Sequence, residues 1–249
     1  MPIREEVQGR ILIVHLEREE KRNAINVEMA VGISAALDRL DDEDELWTGI
    51  ITGTPNVFCA GTDLREGVGA YTDRGGEYGV IRRKRVKPLI AAVEGPCLGG
   101  GLEIALACDL IVASTTAKMA LPESRRGLVA TSGALFRVTR ALPPNIATQL
   151  LITGTGLTAQ RAHDLGLVNV VSEPGHALAD ALVLADDINQ SGPVAVRATL
   201  AALAEQTENA DVAGWQATER AKDVIIASED MREGVEAFFG RRPPEWKAR

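Results

Sequence analysis

The chain has 249 residues, enough for one globular domain with a substantial buried core, or one domain with a helical appendage. A share of 45% apolar and 25% charged residues suits a water-soluble globular protein, while a net charge of −8 and 4% aromatics argue against an electrostatic footprint or base-stacking platforms for nucleic acid. The cysteines Cys59, Cys97 and Cys108 have no metal-ligand spacing, charged residues begin at Arg4, and no apolar run reaches leader or membrane length, so the sequence predicts a cytoplasmic protein.

Val7 and the run Arg10 to Leu16, separated by Gln8-Gly9, read as a hairpin. Asn26 is placed to cap a helix reaching Leu40, in which Ala30, Ile33, Leu37 and Leu40 form an apolar stripe. Leu46 to Thr52 reads as a short buried strand. Residues Arg65 to Gly79, rich in Gly, Asp and Tyr without a period, predict a mobile surface loop. The basic run RRKRVK (Arg82 to Lys87) reads as a solvated helix face or as a phosphate contact.

A strand over Leu89 to Val93, a glycine loop over Gly95 to Gly101, a helix over Leu102 to Cys108 and a strand over Leu110 to Ala113 then follow. Helices are predicted over Ser132 to Ala141 and Asn145 to Ile152, either side of Pro143-Pro144, and after Thr158 up to Gly166, with a strand over Leu167 to Val171. From Pro193 the pattern is helical, with breaks near Thr207 to Asp211 and at Ser228, and a stop at Gly240 before Pro243-Pro244. Repeated strand, loop and helix units indicate an α/β arrangement.

The chemistry concentrates in two segments with one grammar, FCAGTDL and GPCLGGGLEI: a strand, a tight loop of small residues, a helix. If the loops face one another, each can give a backbone N–H to one oxygen, an oxyanion hole. Read separately, each is a turn that needs glycine for positive φ. Glu103 sits in the first turn of a helix that is apolar on nearly every face, and Glu123 follows Met119-Ala120-Leu121-Pro122. A dry carboxyl pair suits one acid and one base; taken singly, each is a cap or a salt-bridge residue, with Arg125-Arg126 beside Glu123. Other chemistries lack support: His15, His163 and His176 are scattered, there is no GxSxG elbow and no phosphate-binding glycine fingerprint, and Cys97 has no histidine nearby in the chain.

Together, the segments EREEKRNAIN, GIITGTPNVFCAGTDLRE, PLIAAVEGPCLGGGLEIALACDLIVAS, MALPESRRGLV, LLITGTGLTAQRAHDLGLVNVV and SEDMREGVEAFFGRRPPEW resemble the crotonase superfamily, the enoyl-CoA hydratase/isomerase family, over essentially the whole chain. The resemblance implies an α/β fold, the ClpP/crotonase-like spiral of ββα units with a C-terminal α-helical region. It divides the chain into a core over 1–192 and a helical region over 193–249 for oligomerisation and active-site covering. It implies homotrimers or dimers of trimers, acyl-CoA thioester substrates, and no separate cofactor, since coenzyme A enters as part of the substrate.

The oxyanion donors it implies are the amides of Thr62 and Gly100. Glu103 would orient and deprotonate a water that adds to C3, and Glu123 would give the proton to C2, as in enoyl-CoA hydration. Coenzyme A contacts fall on Arg22, beside Lys21, and on Ala24, Ala60, Asp63, Leu64 and Arg65, with Gly99 and Pro122 completing the site. The run Val129 to Ala134 departs from the usual hydratase sequence where the family's acyl pocket lies. Double-bond isomerisation, carnitinyl-type dehydration and a silent acyl-CoA-binding scaffold therefore stand beside hydration as readings.

Overall fold

The computed structural model describes residues 2–66 and 70–249. The hairpin forms as β1 (Ile3–Gln8) and β2 (Ile11–Leu16), turning at Gly9, whose φ of 59° suits glycine. Asn26 accepts the Met29 amide (3.0 Å) and opens α1 (Val27–Asp42), which buries the expected stripe from Ala30 to Leu40. β3 (Thr48–Thr52) is buried at every position. The segment read as a mobile loop contains a small hairpin, β4 (Tyr71–Thr72) and β5 (Gly76–Glu77), followed by the buried Tyr78. Residues 67–69 of that segment lie outside the described residues.

The middle of the chain supplies β6 (Leu89–Val93), β7 (Pro96–Leu98), α2 (Gly100–Ala107), β8 (Leu110–Ser114) and β9 (Lys118–Ala120). Next come α3 (Ala134–Ala141), α4 (Pro144–Thr153), β10 (Leu157–Thr158), α5 (Ala159–Asp164), capped by Thr158, and β11 (Val170–Ser172). Three helices close the chain: α6 (Ala177–Asn189), α7 (Pro193–Ala227) and α8 (Glu229–Gly240).

Six strands form one sheet in the order β1-β2-β3-β6-β8-β11, and all pairings but the first are parallel. Both faces are covered, so its strands are continuous apolar runs. Ile11, Ile13, Ile50, Ile90 and Val112 meet α6, whose Ala177, Ala181 and Ala185 let the helix approach closely. The alternate residues, among them Leu12, Val14, Ile51, Leu89 and Ala91, join the main core with α1 and α2. β10, β9 and β7 form a second sheet. The chain alternates between the two sheets and then a helix, as in β6–β7–α2, which is the crotonase spiral of ββα turns.

Two expectations are corrected. α7 runs unbroken for 35 residues through Thr207 to Asp211, a stretch that is polar but holds no glycine or proline. Arg140 pairs with Asp211 and Lys84 with Glu208 there, and Gly214 packs so closely on Phe136 that a Cβ would come within 2.5 Å of the ring. The basic run Arg82 to Lys87 is not a helix, and apart from the exposed Lys84 its cations are drawn inward. Arg83 is buried against Asp38 (2.7 Å) and Asp41 (3.0 Å), Arg85 pairs with Asp109, and Lys87 donates to the carbonyls of Leu40 and Glu43, both at 2.7 Å. Arg83, Arg85 and Lys87 thus tie α1 and α2 to the sheet.

Candidate active site

The second sheet aims three segments at one place. β7 and β9 run parallel with Leu98 opposite Ala120, so Gly99-Gly100 and Pro122-Glu123 leave the same ends of neighbouring strands. Cys59 bridges Cys97 in parallel, and its carbonyl accepts the Leu98 amide (2.9 Å), so Ala60-Gly61-Thr62 leaves alongside them. Carboxyl ends of parallel strands are where ligand sites collect in α/β folds, because the chain turns away there and leaves a crevice.

The two loops touch at Gly61, whose φ is 97°; a Cβ there would stand 3.0 Å from the Gly100 nitrogen. Gly101 carries the same constraint, since a Cβ would come within 2.3 Å of the Cys59 carbonyl. The glycines are needed for this approach as well as for turning. Among the described residues the amides of Thr62 and Gly100 have no acceptor, although their neighbours do: Gly99 donates to Ala120 (2.8 Å) and Asp63 to Ile25 (3.0 Å). Gly100 is the first residue of α2, where helical N–H groups are unpaired and the dipole favours negative charge. Two free donors on touching loops are the components of an oxyanion hole.

Glu103 is 2% exposed, and its Oε1 accepts the amides of Ser132 (2.7 Å) and Ala134 (3.2 Å) at the entry to α3. Burial and the charge of Glu123 push its pKa up to about 8, against those amides and Arg137. Glu123 sits in a 3-10 turn over Pro122–Arg126, and its Oε2 is buried without a partner among the described residues. Burial raises its pKa to about 7, opposed by its own amide and by Arg126. Two such carboxyls titrate as a pair that holds a proton near neutrality. The two amides on Oε1 favour the ionised form of Glu103, while its burial and the Glu123 charge oppose it. Gly99 lies against Glu123, since a Cβ there would be 2.8 Å from Oε1. A cavity of about 210 Å³, lined by Leu128, Val129, Ala130, Leu135 and Leu151, opens beside Glu123. A larger cleft of about 310 Å³, lined by Trp47, Lys87 and Arg197 among others, includes none of these groups.

The other expected residues form the approach to this centre. Asn23 is buried and binds the carbonyls of Val57 (3.0 Å) and Phe58 (3.1 Å), which fixes the 18–24 loop against the 57–62 segment. Arg22 and Ala60 are joined by the Ala60 amide on the Arg22 carbonyl (3.0 Å), and the exposed Arg22 side chain has no partner among the described residues. Ala24 gives its carbonyl to Arg18 (3.0 Å). Asp63 is committed internally: it pairs with Arg18 (2.8 Å) and accepts the Arg65 amide (3.1 Å), so it shapes the loop and leaves no charge for a ligand. Leu64 is half-buried, and the exposed Arg65 lies 5.9 Å from the Phe239 ring centroid of α8. Pro122 starts the turn that carries Glu123.

The sequence reading missed Tyr78, Arg18, and the amides of Ser132 and Ala134. Tyr78 left no periodic trace in an irregular loop, and backbone donors leave none in any sequence. Cys97 and Cys59 are buried thiols that burial pushes well up, Cys59 to about 12, which makes both inert as nucleophiles. Among the described residues no three His, Cys, Asp or Glu side chains converge to hold a metal ion, and no helix is long and apolar enough to cross a membrane.

Comparison with known proteins agrees with this geometry. The family described as "Enoyl-CoA hydratase/isomerase" matches residues 6–249. The mevalonyl-coenzyme A hydratase of Aspergillus fumigatus is 37% identical, covering 95% of this chain and 91% of its own. The enoyl-CoA hydratase EchA19 of Mycobacterium tuberculosis is 36% identical over 98% of this chain and 96% of its own. Among solved structures, a carnitinyl-CoA hydratase from Mycobacterium avium superposes with a TM-score of 0.94 at 35% identity, covering 100% of this chain and 99% of that one.

Proposed function

Because the chain belongs to the enoyl-CoA hydratase/isomerase family, we propose that it adds water across the C2–C3 double bond of a trans-2-enoyl-CoA. The observation that carries this reading is the meeting of two carboxyls raised towards neutrality, one with a buried unpartnered oxygen, with two acceptor-free amides at the ends of adjacent parallel segments. The thioester oxygen sits between the Thr62 and Gly100 amides, each worth on the order of 3 kcal/mol to an enolate-like oxygen. Glu103, anchored through Oε1, takes a proton from the water as its oxygen bonds to C3. Glu123 gives its proton to C2 as the enolate collapses. The step thus ends with Glu103 carrying a proton from the water and Glu123 ionised; Glu103 gives that proton to solvent and Glu123 takes one up, which restores the starting state. Each positioned acid or base contributes roughly 10²–10⁴ in rate.

The cavity beside Glu123 suits a short apolar acyl group, and Arg22 and Arg65 supply the cations that a net-negative protein needs for coenzyme A phosphates. No further cofactor enters this chemistry. The same site run in reverse dehydrates a 3-hydroxyacyl-CoA, a second reading favoured by the likeness to a carnitinyl-CoA hydratase. Assembly into trimers or hexamers is part of the proposal: α7 leaves Val194, Leu203, Val212 and Val224 exposed, an apolar surface for another copy. Light scattering after gel filtration reads the assembly. Chromatographically resolved products from crotonyl-CoA, a trans-3-enoyl-CoA and carnitinyl-CoA test the reaction; 3-hydroxybutyryl-CoA from the first is expected, and turnover of the trans-3-enoyl thioester alone would replace hydration by isomerisation.

A further inference from the structure

Tyr78 follows β5 with a left-handed backbone (φ 57°), its amide bound to the Ala70 carbonyl at 2.6 Å. A non-glycine residue held there stores strain on the order of 1 kcal/mol, maintained only where the surroundings demand it. The side chain is 7% exposed, and its hydroxyl lies 2.7 Å from Thr62 Oγ1. Its ring packs on Gly100 so tightly that a Cβ would come within 2.5 Å of the phenol oxygen. One side chain thus touches both residues whose amides are free.

Counting protons shows a donor left over. The Tyr78 and Thr62 hydroxyls carry two protons and share one hydrogen bond. One O–H of the pair is therefore left without an acceptor among the described residues and is free for a ligand oxygen. Burial and the nearby Glu103 charge hold the phenol above its ordinary pKa, so it stays protonated.

We propose that the phenol O–H of Tyr78 is a third donor to the thioester oxygen, joining the Thr62 and Gly100 amides as that oxygen gains enolate charge. The proton stays on Tyr78 throughout; the phenol lowers the energy of the charged oxygen by a hydrogen bond alone. This rests on the reading of the site as one for acyl-CoA thioesters.

Acetoacetyl-CoA tests it without turnover, because the enolate of a β-keto thioester absorbs in the near ultraviolet. Tyr78→Phe should lower both the enolisation constant of bound acetoacetyl-CoA and kcat for crotonyl-CoA about tenfold to hundredfold, with the Kd of butyryl-CoA within about twofold. Thr62→Val keeps the amide and releases the phenol; it should lower the enolisation constant by itself and add nothing in the Tyr78→Phe background. Should Tyr78→Phe fail to fold, Thr62→Val decides: an unchanged constant overturns the proposal. So does a Tyr78→Phe protein that enolises like wild type, or one that loses butyryl-CoA in parallel, which would make the ring a packing element. A wild type that leaves bound acetoacetyl-CoA as the ketone overturns it whatever the enzyme hydrates. A wild type that enolises acetoacetyl-CoA but hydrates no enoyl thioester sinks the hydratase reading and leaves the third donor standing.

Discussion

Two regions of this molecule bury carboxylates, and they treat them in opposite ways. Glu94, just past β6, is 7% exposed, yet both of its oxygens have partners: Oε1 takes the Ala177 amide at the start of α6 (3.1 Å) and Oε2 the Thr116 hydroxyl (3.2 Å). A carboxylate at a helix N-terminus, bonded on both sides, joins helix to sheet. Glu103 and Glu123 each keep an oxygen with no acceptor role among the described residues, and both are pushed towards neutrality by burial. Burial alone therefore does not mark a functional acid in this fold. Nor does a spare oxygen by itself, since Asp41 keeps a buried, unbonded Oδ1 while its Oδ2 pairs with Arg83; what sets the proposed site apart is that its carboxyls stand beside two acceptor-free amides.

The largest separation of the two regions should come from Glu123→Gln. It removes the proton donor while keeping shape, and crotonyl-CoA hydration should fall about 10³-fold or more with butyryl-CoA binding retained. A variant that hydrates at the wild-type rate would end the assignment. The next effect is on stability. Both site carboxyls are raised from 4.5, Glu123 to about 7 and Glu103 to about 8. Between those limits the native state binds more protons than the unfolded chain, so unfolding free energy falls as pH rises. The contribution is complete below about pH 4.5 and lost above about pH 8. Glu123→Gln should therefore gain stability over wild type between pH 5 and 8, on the order of 2–3 kcal/mol. Melting curves across that window read it, and parallel curves would show that burial of Glu123 carries no penalty.

Glu94→Ala should do the reverse. Leaving the Ala177 amide and the Thr116 hydroxyl unpaired should cost about 1–3 kcal/mol by urea denaturation, while kcat per folded molecule holds. A loss of kcat without a loss of stability would move Glu94 into the site. The smallest effect belongs to the approach: Arg22→Ala should raise KM a few-fold at low salt, with kcat unchanged and the difference fading as salt screens it. An effect insensitive to salt would remove Arg22 from phosphate binding.

Much of the scaffold was legible in the chain because local physics sets it. Continuous apolar runs marked β3, β6 and β8, and Asn26 and Thr158 are caps whose side chains accept amides of the helices they open. Other features were misread where distant contacts dominate. The basic run looked solvated because nothing local reveals that Asp38, Asp41, Asp109 and two α1-end carbonyls wait for it. The 207–211 stretch looked like a break because the partners of its acids, Arg140 for Asp211 and Lys84 for Glu208, lie far off in the chain. α6 escaped notice because its buried face is alanine, too weak an apolar signal to stand out.

The sequence by itself determined the family, the two glycine-lined loops and the presence of a carboxyl pair, because glycine spacing and acids inside apolar runs are written locally. Only the tertiary structure showed that Glu94 is bonded through both oxygens while Glu103 and Glu123 each keep an oxygen without a partner among the described residues, and that Tyr78 stands over Gly100. Which oxygen keeps an empty lone pair, and which hydroxyl keeps a spare proton, depends on partners brought together across 16 to 83 residues of chain by parallel pairing and desolvation, and no local pattern encodes them.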